Sequence, residues 1–361
     1  MPKILIVDDS ALMRRLLTKV FEQEGDFEIR SARDGEEAIK ENLAFEPDVI
    51  TLDINMPVMD GLTALSNIMT QRPVPVIMVS SLTEKGALAT FEALNLGAVD
   101  YLAKPGGTIS LSINDIRDEL VGKVRSALRV RLKKKEPSLI SRLKTQREEV
   151  KKQKFFIRKG ISTDERIILI GVSTGGPKIL EDILQMLSED FPVPIVVAQH
   201  MPQAFTKPFA DRLNTICNLN VVEVDRPMQI EAGHIYIGRG NADVIITRRI
   251  GKLTVISKPE NPSFLWHPSV DLLGHSALEH CDASQLIAVL LTGMGYDGAE
   301  AFKTIMEKGG KTIAESEETA VVFGMPQVLI EKKGATVILP SYKIAEQLIK
   351  WVKGSQNHRY K

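Results

Sequence analysis

IILIGVSTGGP, residues 167–177, carries a short apolar run into a turn crowded with glycine and delivers one hydroxyl, Ser173, at its tip. Ile167 to Ile170 is the β-branched run expected of a strand buried on both faces. Gly171, Gly175 and Gly176 then permit a tight turn that a Cβ would obstruct. Pro177 suits the first helical position, and Leu180, Ile183, Leu184 and Leu187 recur at helical spacing on one face. Ser173 therefore lies between a strand's carboxyl end and a helix's amino end. Backbone N–H groups are unpaired there and the helix dipole favours negative charge, so an oxyanion formed at Ser173 meets donors already in place. Gly171-Val172-Ser173-Thr174-Gly175 also fits the G-x-S-x-G nucleophile elbow in the context that the elbow requires. Taken alone, the turn has a plainer reading of equal weight, in which the serine only caps the helix.

Two more buried runs end in chemistry. Ile195 to Ala198 leads into Gln199-His200-Met201-Pro202, and Leu286 to Leu291 leads into Thr292-Gly293-Met294-Gly295-Tyr296-Asp297-Gly298. Three parallel-type strands thus offer Ser, His and Asp at what is expected to be one edge of one sheet. A neutral hydroxyl is a poor nucleophile at pH 7. It needs a base such as His, with an unperturbed pKa of about 6.5, and an acid group that holds the base in one tautomer. His200 and Asp297 are the candidates, while His234, His267, His275 and His280 compete for the base role. His234 sits in the alternating run GHIYIG and reads as a strand residue. The chain order Ser, His, Asp matches none of the α/β-hydrolase, chymotrypsin or subtilisin orders, so those folds lend no support. GHIYIG, DVIIT and KLTVIS, joined by Gly-Arg-Gly-Asn and Arg-Arg-Ile-Gly, read as an antiparallel excursion from the parallel sheet. Lys311 to Ala314 and Ala335 to Leu339 predict further strands, and Tyr342 to Val352 predicts a closing amphipathic helix.

The first part of the chain repeats the same logic. Lys3 to Val7 reads as a buried strand ending in Asp8-Asp9, and Asp48 to Leu52 as another ending in Asp53. Between them Leu12, Leu16, Val20 and Phe21 predict a helix face. Parallel strands present their carboxyl ends to one crevice, so the three carboxylates gather at one mouth. Three such groups repel one another unless a hard cation sits among them, and Mg²⁺ with oxygen ligands fits. Val74 to Val79 ends in Ser80-Ser81, and Ala98 to Ala103 ends in Lys104-Pro105. That mouth combines acid, hydroxyl and ammonium groups able to hold a phosphoryl group. Asp34 and Asp60 read as turn residues.

Charge is distributed in blocks although Lys+Arg and Asp+Glu both total 46. Residues 1–121 carry 11 basic and 20 acidic side chains, residues 122–160 carry 15 and 3, and residues 161–361 carry 20 and 23. Ile113, Ile116, Leu120, Val124 and Leu128 continue a helical face into the basic block. The block LKKKEPSLISRLKTQREEVKKQKFFIRKG then reads as a partly helical linker with few apolar anchors. It shows no recognition-helix pattern, so nucleic-acid binding is not expected. Cys217 and Cys281 are too few for a disulfide framework and lack metal-site spacing, which points to a reducing compartment. No apolar run of about 18 residues and no apolar leader occurs, so a cytoplasmic protein without direct membrane insertion is expected.

Residues 1–121, with VDDS, Asp53-Ile54-Asn55-Met56-Pro57, Asp60-Gly61 and Lys104-Pro105 in order, resemble a response-regulator receiver domain. The resemblance implies a flavodoxin-like, doubly wound parallel sheet with Asp53 as phosphoacceptor. It implies Mg²⁺ held by Asp8, Asp9, Asp53 and the backbone carbonyl of Asn55. Ser80, Tyr101 and Lys104 take the switch roles. In residues 161–361, IGVSTGGP, QHMP, HPSVD, LTGMGYDG, GGKTIAE and EETAVVFGMP together resemble the catalytic domain of the CheB-type protein-glutamate methylesterases. The fold class implied is α/β throughout: receiver, basic linker over 122–160, and a doubly wound methylesterase domain.

Ser173 is then the implied nucleophile, His200 the general base and acid, and Asp297 its orienting carboxylate, with backbone N–H groups near Thr174 and Met294 as the oxyanion hole. The implied reaction demethylates glutamate methyl esters, and deamidates glutamines, on the cytoplasmic helices of methyl-accepting chemoreceptors, with no cofactor for the hydrolysis. A histidine kinase is the implied phosphoryl donor, and a monomer is expected. A phosphorylatable domain tethered to a catalytic one most economically acts by covering or distorting its active-site edge. One departure is His267, at a place before Pro-Ser-Val-Asp where relatives often carry Arg.

Overall fold

Apolar strand runs alternating with amphipathic helices build separate parallel sheets in the two halves of the chain. The structure, a computed structural model, describes residues 1–104, 109–130 and 165–357. The basic stretch at 132–160 lies outside the described residues. Two compact units result, one within Met1–Lys134 and one within Lys135–Lys361.

The first unit runs β1 (Lys3–Val7), α1 (Ala11–Glu24), β2 (Glu28–Ala32), α2 (Gly35–Ala44), β3 (Val49–Asp53), α3 (Gly61–Gln71), β4 (Val76–Ser80), α4 (Glu84–Leu96), β5 (Asp100–Ala103) and α5 (Ile109–Ala127). Its strands are all parallel in the order β2-β1-β3-β4-β5. Ser10 caps α1 by accepting from Met13 N, and Gly25, with φ 73°, ends it. The buried face of α1 is Met13, Leu17, Val20 and Phe21. This corrects the expected face, since Leu12 points to solvent and Leu16 is only half-buried. α5 passes residue 121 and buries Leu120, Val124 and Ala127, while the side chains of Ile113 and Ile116 lie outside the described residues. β2, EIRSA, is an edge strand with mostly exposed side chains, so no apolar run marks it in the sequence.

The second unit continues with β6 (Ile167–Val172), α6 (Gly176–Leu184), β7 (Ile195–Gln199), α7 (Gln203–Ile216), β8 (Asn220–Val224), β9 (Met228–Gln229) and β10 (His234–Gly238). It then runs β11 (Asp243–Arg249), β12 (Lys252–Lys258), α8 (Val270–His280), β13 (Leu286–Leu290), α9 (Ala299–Glu307), β14 (Lys311–Glu315), α10 (Met325–Glu331), β15 (Val337–Leu339) and α11 (Ser341–Asn357). Seven strands form a parallel sheet in the order β15-β14-β13-β6-β7-β10-β8, and β11-β12-β9 form a small antiparallel sheet.

GHIYIG was expected in the antiparallel excursion. It is β10, paired in parallel with β7 and β8, and only the DVIIT and KLTVIS segments form the excursion with β9. The apparent alternation came from Tyr236, whose ring is buried while its hydroxyl donates to Gln229 O at 2.8 Å. β6, β7 and β13 are buried along their whole length, as central parallel strands covered by helices on both faces must be.

Strand order reverses beside β6, which has β7 on one side and β13 on the other. Open parallel sheets place their ligand crevice at the carboxyl ends of the strands at such a reversal. In the first unit the corresponding reversal lies between β1 and β3.

Candidate active site

β6 delivers Ser173 into the crevice. Gly171 belongs to this strand rather than to the turn, paired with Leu290 and Ala198, and glycine is required there because a Cβ would collide with Val270 Cγ1 and come within 2.9 Å of Leu290 Cδ1. The turn itself is made by Gly175, which caps α6 with φ 75° and leaves no room for a side chain against Val321. α6 starts at Gly176, one residue before the expected Pro177, and ends at Leu184, so Leu180, Ile183 and Leu184 form its buried face while Leu187, expected on that face, is buried just beyond the helix.

β7 pairs with β6 so that Val172 and Gln199 are register partners, and the next residue on each strand is Ser173 or His200. His200 N donates to Val172 O at 3.1 Å, which fastens the two strand ends together. The Gln199 side chain, 1% exposed, adds a second tie by donating from Nε2 to Ser173 O at 3.1 Å and His200 O at 3.0 Å.

On the other side of β6, the loop after β13 carries Asp297, 2% exposed. Its Oδ2 lies 2.9 Å from His200 Nε2 and accepts from Val270 N at 2.7 Å, while Oδ1 accepts from Asp271 N at 3.0 Å and Ser269 Oγ at 3.1 Å. The carboxylate thus sits on the amino end of α8. Burial, the largest single influence, pushes its pKa up. The hydrogen bond and positive charge of His200 and the backbone N–H groups of Asp271 and Val270 outweigh it, so the carboxyl lies below its ordinary value.

An ionised Asp297 accepts from Nε2–H, so whenever the imidazole carries a single proton the tautomer favoured is the one with the proton on Nε2 and the lone pair on Nδ1. Nδ1 is buried without a hydrogen-bond partner. The Trp266 ring stacks on the His200 ring with centroids 5.7 Å apart and planes at 4°, and Tyr296 meets Trp266 edge-on at 5.0 Å. Such stacking limits the tilt of the imidazole.

The competing histidines lie elsewhere. His234 starts β10, at the opposite end of the strand, with Nδ1 3.1 Å from Ala232 O. His267 Nδ1 is 3.0 Å from Asp243 Oδ1, and the buried Asp243 also accepts from Asn261 N and Ser269 N. His275 and His280 belong to α8. The departure at His267 is thus occupied by a local side-chain hydrogen bond to Asp243, which also holds Ser269 N.

Thr174 follows Ser173 in the turn, and Met294 lies in the loop after β13. Ser173 N donates to Thr292 O at 2.9 Å, Thr292 Oγ1 donates to Thr174 O at 2.9 Å, and Gly293 packs so closely that a Cβ on it would come within 2.7 Å of Ser173 Cβ. The two residues expected at the oxyanion hole, Thr174 and Met294, are therefore chain neighbours of Ser173 and Gly293, on two segments bonded to each other. Gln199, Trp266 and Thr292 were not singled out in the sequence, and nothing in their spacing could have marked them.

In the first unit Asp8, Asp9 and Asp53 offer carboxylate oxygens within 4.8 Å of one another, a hard oxygen set suited to Mg²⁺. Asn55 lies two residues on, its N 3.4 Å from Asp53 Oδ1. Lys104 Nζ bridges Asp8 Oδ2 at 2.9 Å and Asp53 Oδ2 at 2.8 Å. Burial raises the Asp53 pKa and outweighs the lowering by Lys104. Ser80 is fully buried and its hydroxyl donates to Gly86 O at 3.1 Å. Tyr101 is buried with Lys123 Nζ 5.3 Å from its ring centroid. The two cysteines are free and half-buried, and burial pushes their thiols up to about 12 at Cys217 and about 11 at Cys281. No helix of the described residues is long and apolar enough to cross a membrane.

Residues 168–348 match the CheB methylesterase family and residues 4–113 the response regulator receiver domain family. A protein of Rhodospirillum rubrum named protein-glutamate methylesterase/protein-glutamine glutaminase 3 is 50% identical over 366 residues, covering 100% of this chain and 99% of that one. A protein of the same activity name from Rhodopseudomonas palustris is 49% identical, covering 97% of this chain and 98% of that one. Among solved structures, the CheB methylesterase catalytic domain of Thermotoga maritima aligns with a TM-score of 0.50 and 41% identity over 52% of this chain and 98% of its own length. A Ser-His-Asp sheet edge in one unit, an acidic mouth in the other and likeness along the whole chain agree: the chain belongs to the CheB methylesterase family of hydrolases, in the form that carries a response-regulator receiver domain.

Proposed function

We propose that the chain removes methyl groups from glutamate methyl esters on the cytoplasmic helices of chemoreceptors, and deamidates glutamines there, under control of receiver phosphorylation. Ser173 is the nucleophile, His200 the general base and then acid, and Asp297 the group that fixes the imidazole. The observation that carries this reading is the 2.9 Å contact between His200 and Asp297 on the strand ends flanking Ser173.

In the proposed cycle His200 Nδ1 takes the Ser173 proton as Oγ attacks the γ-carbonyl carbon, and the imidazolium is balanced by Asp297. Backbone N–H groups at Thr174 and Met294 receive the oxyanion. The imidazolium returns its proton to the departing methoxide, methanol leaves, and water activated by the same Nδ1 hydrolyses the acyl-enzyme. With glutamine as substrate the leaving group is ammonia.

In the receiver, over residues 1–121, Asp53 accepts the phosphoryl group from a histidine kinase. Asp8, Asp9, Asp53 and the carbonyl of Asn55 would hold Mg²⁺, which supplies charge neutralisation for the incoming phosphoryl group. Lys104, Ser80 and Tyr101 answer the new charge, and residues 122–160 link to the catalytic domain at 161–361. A cytoplasmic monomer without nucleic-acid contact completes the reading. The decisive experiment is methanol release from methylated receptor by Ser173→Ala: a folded variant without turnover supports the assignment, and substantial residual turnover moves the nucleophile elsewhere.

A further inference from the structure

Glu315 is the last residue of β14, one strand beyond β13, and is completely buried. Nothing in the proposed cycle uses it. Its Oε2 accepts from Thr292 N at 2.8 Å and its Oε1 accepts from Thr319 Oγ1 at 2.7 Å. Thr319 Oγ1 in turn accepts from Ser341 N at 2.8 Å, which fixes the hydroxyl at the start of α11. The carboxyl group is therefore anchored from one side and holds Thr292 with the other.

Thr292 is the residue through which the reacting segments meet. Its carbonyl accepts from Ser173 N at 2.9 Å, and its hydroxyl donates to Thr174 O at 2.9 Å and accepts from Val322 N at 2.9 Å. One residue on, Gly293 N donates to Val322 O at 3.0 Å and Gly293 O accepts from Met325 N at 2.9 Å. Movement of Thr292 N would carry the Ser173 turn and the Met294 loop with it.

We propose that Glu315 is a positioning residue for the reaction, which sets the distance between the nucleophile turn and the loop that carries Met294 by clamping the Thr292 backbone. The inference rests on the hydrolase reading above. A buried carboxyl with two donors and no charged hydrogen-bond partner is costly to keep, and burial pushes it up to about 7 against the pull of Thr319 and Thr292. Packing alone would be served by an apolar side chain of similar volume.

The test uses the full chain, with rates of methanol release from methylated receptor normalised to sites titrated by a serine-directed acylating probe. Glu315→Met keeps the volume and leaves Thr292 N unpaired. It is expected to lower kcat about 10- to 100-fold with KM within about twofold, as a small misplacement of reacting groups does. Glu315→Gln keeps an acceptor for Thr292 N and is expected to restore kcat to within about threefold of the parent. Wild-type kcat in Glu315→Met, or a Glu315→Gln variant as impaired as Glu315→Met, overturns the proposal. Should Glu315→Met fail to fold, Thr319→Val removes one of the two donors and leaves the carboxyl in place. A kcat lowered by about threefold or more then supports the clamp, and an unchanged kcat overturns it. A parent chain that releases no methanol refutes the hydrolase reading instead, so the two failures are distinguishable.

Discussion

His200 presents Nε2 to Asp297 Oδ2 at 2.9 Å and keeps Nδ1 buried without a hydrogen-bond partner. The ring nitrogen left for Ser173 is therefore the one nearer its own backbone. An acceptor at position 297 is needed to hold that tautomer. Asp297→Asn offers an amide that can donate to Nε2 and so favour the wrong one, and kcat is expected to fall by about 10⁴ with the fold retained, as when a triad carboxylate is replaced. Nitrogen-resolved NMR of the imidazole reads the tautomer directly. A variant with near-parental kcat, or an unchanged tautomer despite lost activity, would remove Asp297 from the orienting role.

Gly293 offers a steric test of the loop that approaches Ser173. A methyl group there would stand 2.7 Å from Ser173 Cβ and closer still to Met325 Sδ, which real Cβ atoms do not tolerate. Gly293→Ala is expected to displace the Ser173 turn and lower kcat by about 10²-fold, the loss typical of a misplacement of about 1 Å. Thermal unfolding of the same variant separates misplacement from collapse, since the former leaves the melting temperature within a few degrees of the parent. Normal turnover would mean that the loop moves away at no cost.

The strand-end positions of Ser173, His200 and Asp297 are legible in the sequence because each follows a fully buried apolar run, and parallel strands send their carboxyl ends to one edge. What holds those residues is not legible. Glu315 reaches Thr292 across 23 residues, and Gln199 ties Ser173 across 26, through contacts that exist only once β14, β13, β6 and β7 lie side by side. Trp266 gains its meaning only by stacking on His200. The same limit explains the strand errors. Buried Tyr236 imitates a polar position in β10, and polar β2 lacks the apolar run that marks its neighbours.

Glu315 also makes the stability of the catalytic unit depend on pH. Its folded pKa, up to about 7, lies above the ordinary value of 4.5, so the folded state keeps a proton that the unfolded chain has already lost. Stability is therefore expected to fall as pH rises from about 4.5 to about 7 and then to level off, at a total cost of about 3 kcal/mol from this group. Glu315→Gln lacks the ionisation. Its melting temperature relative to the parent should rise across that interval and stay constant above it. A difference that is flat from pH 4 to 8 would show that the carboxyl does not titrate there.

Lys104 joins Asp8 and Asp53 through one ammonium group, with Nζ 2.9 Å and 2.8 Å from their carboxylates. Phosphorylation of Asp53 would replace one carboxylate charge with a phosphoryl group carrying about 1.5 to 2, a net gain of roughly one negative charge, and any effect on turnover must come from different stabilities of two receiver states. A small phosphoryl donor is expected to label the parent chain in Mg²⁺ and not in excess chelator, because the carboxylates of Asp8, Asp9 and Asp53 otherwise repel the donor. Labelling is followed by intact mass. Methanol release should rise by about tenfold with labelling, within the usual range of allosteric couplings. Asp53→Ala should neither label nor respond. Lys104→Ala should still take up label, since the acceptor and the metal-binding carboxylates remain, but its turnover should respond weakly because the ammonium that reads the new charge is gone. Residues 161–361 alone should be indifferent to the donor and turn over at least as fast as the unphosphorylated chain. Equal rates for the labelled chain, the unlabelled chain and residues 161–361 would exclude control by the receiver, while labelling of Asp53→Ala would place the phosphoacceptor at another residue.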